Sequence, residues 1–133
     1  MRKNHKIKYI SMYFSSYLGY RCTVSLYDNG KAYYQTNFRE ETPDSCALLL
    51  NRQTVVAFLE SVSSVLEWQT YYGTGKCIDG YYWNVKAELA DGTIKESVGE
   101  NGKPDDFDEF FARCERLIKK PLDSTQVFCG KEQ

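Results

Sequence analysis

The sequence predicts an α+β fold: a single antiparallel sheet of about five strands with two helices on one face, in the order β-β-β-α-β-β-α. Three observations predict it. Four runs alternate apolar and polar residues with period two, the repeat of a strand with one buried face. Asn29-Gly30 and Asp91-Gly92 each join two strand-like runs as hairpin turns, which makes those neighbours antiparallel. Two later segments carry apolar residues at three- and four-residue spacing, the repeat of an amphipathic helix.

The first run covers residues 7–15. Ile10, Met12 and Phe14 share one face, and Tyr9, Ser11 and Tyr13 the other. Tyr17-Leu18-Gly19-Tyr20 reads as a turn. Cys22 to Asp28 and Lys31 to Phe38 flank Asn29-Gly30, which predicts a type I′ hairpin with positive φ at both central residues. Val24 and Leu26 then share a face with Ala32 and Tyr34, and by parity Phe38 is the last candidate for it.

Residues 39–45 are polar, contain Pro43 and read as a loop. Cys46 to Leu50 is a short buried strand or the lead into a helix. Asn51 is an N-cap candidate. Val55, Phe58, Leu59, Val62, Val65 and Leu66 then predict a helix over 52–67, closed by Trp68. Residues 71–80 read as a Gly-containing loop. In the run 82–89, Trp83, Val85, Ala87 and Leu89 point inward, and residues 93–98 form the return strand.

Pro104 suits the first turn of a second helix. Its apolar stripe is Phe107, Phe110, Phe111, Cys114, Leu117 and Ile118. Acids crowd its start and Arg116, Lys119 and Lys120 its end, matching the helix dipole. Pro121 ends it. One domain over 1–121 and a loose tail over 122–133 are expected.

Composition bounds the function. The 133 residues suit one domain, and 42% hydrophobic and 15% aromatic residues are too many for a disordered chain. Seventeen basic and eighteen acidic residues leave a net charge of -1, without the global positive charge of a duplex-binding protein. The longest apolar stretch, Cys46 to Leu50, is far short of a membrane span, and no signal-peptide core follows the basic N-terminus. A cytoplasmic protein with no membrane partner is expected. The five cysteines are odd in number and widely spaced, which argues against a disulfide framework and a zinc site. Most are expected to be small buried hydrophobes, with Cys129 the candidate reactive thiol.

Residues 79–111 combine Asp79-Gly80, an aromatic strand, the Asp91-Gly92 turn, Gly99-x-Asn101-x-x-Pro104 and a helix start. This resembles a C-terminal segment of small uncharacterised bacterial α+β proteins, a domain of unknown function. The resemblance implies the strand-hairpin-helix order; no activity, cofactor or catalytic residue comes with it.

Constellations for chemistry are few. His5 is the single histidine, so Ser-His-Asp, Cys-His and histidine-based metal sites lack their parts. Gly73-Thr-Gly-Lys-Cys77 departs from a phosphate loop at Thr70 and Cys77 and precedes a strand. No metal or cofactor is expected. Two candidate binding surfaces remain. One is the acidic cluster Asp105, Asp106, Asp108 and Glu109, which helix-dipole complementarity also explains. The other is the sheet face carrying Tyr9, Tyr13, Tyr27 and Tyr33, which packing preference also explains.

The reading these features support is a non-enzymatic module that binds another protein. Its narrower form is an inhibitor from a bacterial mobile element, docking by the acidic patch onto a defence nuclease. The alternative is a single-stranded nucleic-acid binder, stacking bases on the tyrosines beside Arg2, Lys3, Lys6 and Lys8. An enzyme working through carboxylates or Cys129 ranks last, because no nucleophile, base and stabiliser can be assembled.

Overall fold

The computed structural model describes residues 6–16, 19–39, 42–73 and 80–118. The expectations for the N-terminal residues 1–5, the Tyr17-Leu18 pair, the 74–79 loop, Lys119, Lys120, Pro121, Cys129 and the tail lie outside these residues.

The chain is α+β, with a sheet and two α-helices. The sheet is larger than expected and mixed. Its strands are β1 (Ile7–Ser16), β2 (Tyr20–Tyr27), β3 (Lys31–Phe38), β4 (Asp44–Leu49), β5 (Tyr71–Gly73), β6 (Tyr81–Leu89) and β7 (Ile94–Glu100). In space they run β4-β3-β2-β1-β6-β7-β5. Every neighbouring pair is antiparallel except β5 with β7, which is parallel. The order is β-β-β-β-α-β-β-β-α, so the sheet has two edge strands beyond the expected five: β4, where Cys46 to Leu50 was open between strand and helix lead, and β5, in a segment read as a loop.

Both edge strands are short and weakly patterned. β4 buries Cys46 but leaves Leu49 78% exposed, so its apolar run is not a continuous buried face. β5 has three residues and no room for an alternation. Each becomes a strand because a longer neighbour offers it a free ladder, which propensity alone does not encode.

Four strands form a meander, β1 to β4. Helix α1 (Arg52–Ser61) and a 3-10 helix (Ser63–Glu67) then lead the chain to the opposite edge, where β5 pairs with β7. β6 returns to the centre and pairs along the whole of β1, from Ile7 opposite Leu89 to Ser16 opposite Tyr81. A register shift between Ile7 and Tyr9 marks a bulge. The inserted residue reverses parity, so Ile7 joins Ile10 and Met12 in the core.

The Asn29-Gly30 hairpin differs from the expected type I′ form, and the Asp91-Gly92 hairpin has the same geometry. Gly30 has φ +99° and Gly92 φ +91°, while Asn29 and Asp91 are not in the left-handed region. Gly30 N–H donates to Tyr27 O and Gly92 N–H to Leu89 O, both at 2.9 Å. Each connection is a three-residue loop ending in a left-handed glycine, which confines the positive φ to the residue that lacks a Cβ. The side chains of Asn29 and Asp91 accept from the N–H groups of Lys31 and Thr93, at 3.0 and 2.9 Å.

The expected single helix over 52–67 is broken at Val62. Asn51 does cap α1, accepting the Thr54 N–H at 3.0 Å. Beyond Ser61, whose hydroxyl donates back to Phe58 O at 2.7 Å, the chain tightens to a 3-10 helix. Val62, Val65 and Trp68, spaced by three as that helix requires, all reach the core. Helix α2 (Phe107–Ile118) packs Phe107, Phe110, Cys114 and Ile118 on the same side of the sheet.

The core lies between sheet and helices and is aromatic at one end. Trp83 meets Phe107 at 4.8 Å and Trp68 edge-on at 5.6 Å between ring centroids. Phe38 has the inward parity but is 38% exposed, at the end of β3 opposite Tyr20, with the Arg39 guanidinium over its ring. Among the described cysteines, Cys22 and Cys114 are buried free thiols. Cys46 is buried, as expected of most of the cysteines, but it is disulfide-bonded, which the wide cysteine spacing argued against.

Candidate functional site

The segment singled out by Gly80, Gly99, Asn101 and Pro104 forms one structural unit. Gly99 lies under the Trp83 indole: a Cβ there would stand 2.2 Å from Nε1. That closeness aims Nε1–H at the Gly102 carbonyl, 2.8 Å away. Asn101 adopts φ +60°, and its side chain accepts the Tyr81 N–H at 2.9 Å. A Cβ on Gly80 would strike that same side chain at 1.6 Å. Pro104 is buried and its carbonyl accepts the Phe107 N–H at 3.1 Å. These residues close the end of the β6-β7 hairpin and launch α2.

The acidic cluster is brought to one region, and three of its members have partners there. Asp106 precedes the first helical residue and its carbonyl accepts the Phe110 N–H at 3.0 Å. Its carboxylate turns away from the helix, accepting Trp68 Nε1–H at 3.0 Å and the Ser64 hydroxyl at 2.6 Å. Asp108 pairs with Lys103 at 2.8 Å. Glu109 pairs with Arg113 at 3.0 Å and Arg116 at 3.4 Å. Asp105 is exposed. The sequence signal for Asp106 was invisible, since its partners lie some forty residues away in the chain.

The tyrosines lie on the sheet face opposite the helices. Tyr9 pairs with Tyr27 across β1-β2, and their rings meet at 4.5 Å. Desolvation, followed by Tyr9, pushes the Tyr27 phenol above its usual range. Tyr13 contacts Tyr82 of β6 at 6.0 Å, a residue the alternation on β6 implied but the sequence reading did not select. Tyr33 is exposed and donates to Gln35 Oε1 at 2.8 Å, and Gln35 donates on to Asn37 at 3.2 Å. Register adds Ser11, Ser25 and Thr23 between the rings.

Charge divides this face. On β1 to β4 the charged residues that reach it are Lys8, at the bulged start of β1, Arg21 and Lys31, with no acid among the open-face positions. On β6 and β7 it carries Glu88, Glu96 and Glu100 against Lys86. Glu88 meets Lys8 at 3.5 Å, Glu96 accepts from Asn84 at 2.6 Å, and Tyr71 donates to Glu100 at 3.0 Å. Of the basic N-terminal residues, Lys6 and Lys8 are described; Arg2, Lys3 and His5 are not.

Elsewhere a cleft of about 250 Å3 opens between α1 and the start of β1. Lys6, Asp28, Arg52, Glu60 and Ser63 line it with Ile7 and Leu59. Among the described residues no group of three or more His, Cys, Asp or Glu could hold a metal ion. No described helix is long and apolar enough to cross a membrane.

Compared with known proteins, the chain matches no protein-family model and no curated protein.

Proposed function

We propose that the protein is a non-enzymatic protein-binding module whose binding surface is the open sheet face. The observation that carries this reading is the make-up of that face. On the four central strands β3, β2, β1 and β6, Tyr9, Tyr13, Tyr27, Tyr33 and Tyr82 share this face with Ser, Thr, Asn and Gln residues, and both helices pack on the other side. Tyr27, Tyr33 and Tyr71 are among its exposed large side chains. Tyrosine offers a large amphipathic contact at low entropy cost and small polar residues offer adaptable hydrogen bonds, the combination that antibody paratopes use. Sheet backbone holds these groups rigidly, so little ordering is needed on binding.

An inhibitor from a mobile element, docking through Asp105, Asp106, Asp108 and Glu109, is a narrower form of the same reading. It draws on fewer available charges, since Asp106, Asp108 and Glu109 already engage neighbours. The single-stranded nucleic-acid reading draws on the acid-free half of the face, where Arg21 and Lys31 flank the tyrosines. Against it, Tyr9 and Tyr27 pack on each other and do not present two free stacking platforms.

The test is binding by tagged protein before and after nuclease treatment, with Tyr13→Ala/Tyr33→Ala beside Asp105→Lys/Asp108→Lys. Capture of a protein that survives nuclease and fails in the tyrosine variant alone supports the reading. Salt-sensitive oligonucleotide retention by the wild type, abolished by Arg21→Glu/Lys31→Glu, replaces it with the nucleic-acid reading.

A further inference from the structure

We infer that the partner chemistry this face fits best is its own, and that two copies pair open face to open face. The inference rests on the reading of that face as a protein-binding surface. Its basis is charge complementarity within one face. The β2-β3 side carries Arg21 and Lys31 without an acid, and the β6-β7 side carries Glu88, Glu96 and Glu100 against Lys86, with Glu88 also paired to Lys8 of β1. β1 lies between the two sides.

A two-fold axis running along β1, midway between facing sheets, places β2 of one copy over β6 of the other. The same operation places β3 over β7. By register Arg21 then lies over Tyr82, one strand from Glu100, and Lys31 over Ile94, one strand from Glu88. The cationic flank of each copy thus covers the acidic flank of its partner, and both pairings form at once because the interface is isologous. Tyr33 on β3 and Glu96 on β7 occupy matching rows, each one position from the Tyr9-Tyr27 row in its register. The Tyr33 phenol, which donates to Gln35 within one copy, can turn its single proton to the Glu96 carboxylate of the other. An axis across the strands would instead set cationic over cationic flank, which costs energy.

The size of the face sets the strength. From β4 to β7 it spans five inter-strand spacings, and its longer strands have eight to ten residues. At ~4.8 Å per spacing and ~3.3 Å per residue that is roughly 600 Å2 of projected surface per copy. Two such faces bury about 1,200 Å2, the lower bound of specific interfaces. A reversible, concentration-dependent dimer is therefore expected, weakened by salt.

Sedimentation equilibrium from about 1 μM to 1 mM is the test, a range that covers weak association. The expected result is a mass rising toward twice the 15.4 kDa of the chain. Arg21→Glu/Lys31→Glu should shift the dissociation constant upward at least tenfold, as should Glu96→Lys/Glu100→Lys. Mixing the two variants should restore a heterodimer, which only folded chains with complementary flanks can form. A wild-type mass that stays monomeric to about 1 mM overturns the inference. So does a dimer unaffected by both charge variants. If the wild type is monomeric yet captures a foreign protein through Tyr33, the self-pairing fails while the protein-binding reading stands.

Discussion

The Trp68 indole donates to the Asp106 carboxylate at 3.0 Å, joining two residues separated by 38 positions in the chain. Ser64 donates to the same carboxylate at 2.6 Å. Together these bonds fix the 3-10 helix against the start of α2, over the Trp68-Trp83-Phe107 cluster. Hydrogen bonds to a charged group contribute about 1.5–3 kcal/mol. Asp106→Ala should lower stability by about 2 kcal/mol in urea denaturation, with Asp105→Ala near zero. Equal effects from the two would mean the Asp106 hydrogen bonds are surface interactions of no weight.

Gly99→Ala tests the tight approach of Trp83. The new Cβ would stand 2.2 Å from Trp83 Nε1 and 2.3 Å from the Gly102 carbonyl oxygen. One of these must move, and the core has little space to receive it. A loss of about 3 kcal/mol is expected, at the upper end of overpacking costs. Gly92→Ala meets nothing within 4 Å and is strained only by its φ of +91°. Its expected cost is smaller, about 1–2 kcal/mol. If thermal melts rank Gly92 above Gly99, the Trp83 packing argument is wrong.

Cys114 and Cys22 should resist alkylation in the folded chain and react after denaturation. Both thiols are buried. Burial, and then the neighbouring Cys22, push the Cys114 thiol far above its ordinary value of 9.0. The unfolded chain ionises above about pH 9 while the folded chain keeps its proton, so this group's stabilising effect is complete below pH 9 and is lost as pH rises above it. Iodoacetamide labelling at pH 8 followed by peptide mass analysis checks the first expectation. A denaturation series from pH 8 to 10 checks the second, with Cys114→Ala flattening the slope.

Asp108→Lys should leave stability within about 0.5–1 kcal/mol of the wild type. Its ion pair with Lys103 has an acid side chain that is 77% exposed, and exposed pairs contribute little. A larger loss would show that the pair orders the turn before α2.

The alternation of Val24 with Leu26 and of Trp83 with Val85 and Ala87 determined, from sequence alone, which side of each long strand faces the core. The apolar stripe of α2 and the Asn51 cap were equally legible, because both depend on residues within a few positions of one another. Gly30 and Gly92 marked both hairpins, though local residues did not decide the turn type. The tyrosine face was legible for the same reason, since period two places Tyr9 and Tyr13 away from Ile10 and Met12.

Only the tertiary structure decided the rest. β4 and β5 exist because β3 and β7 offer free ladders to short segments with no strong pattern of their own. The partners of Asp106 come from a distant segment. The division of the open face into cationic and acidic flanks depends on strand order, which puts β1 beside β6. Periodicity reports the side of a strand a residue occupies; strand order is settled by the lowest free energy among long-range pairings, and no local window contains both partners.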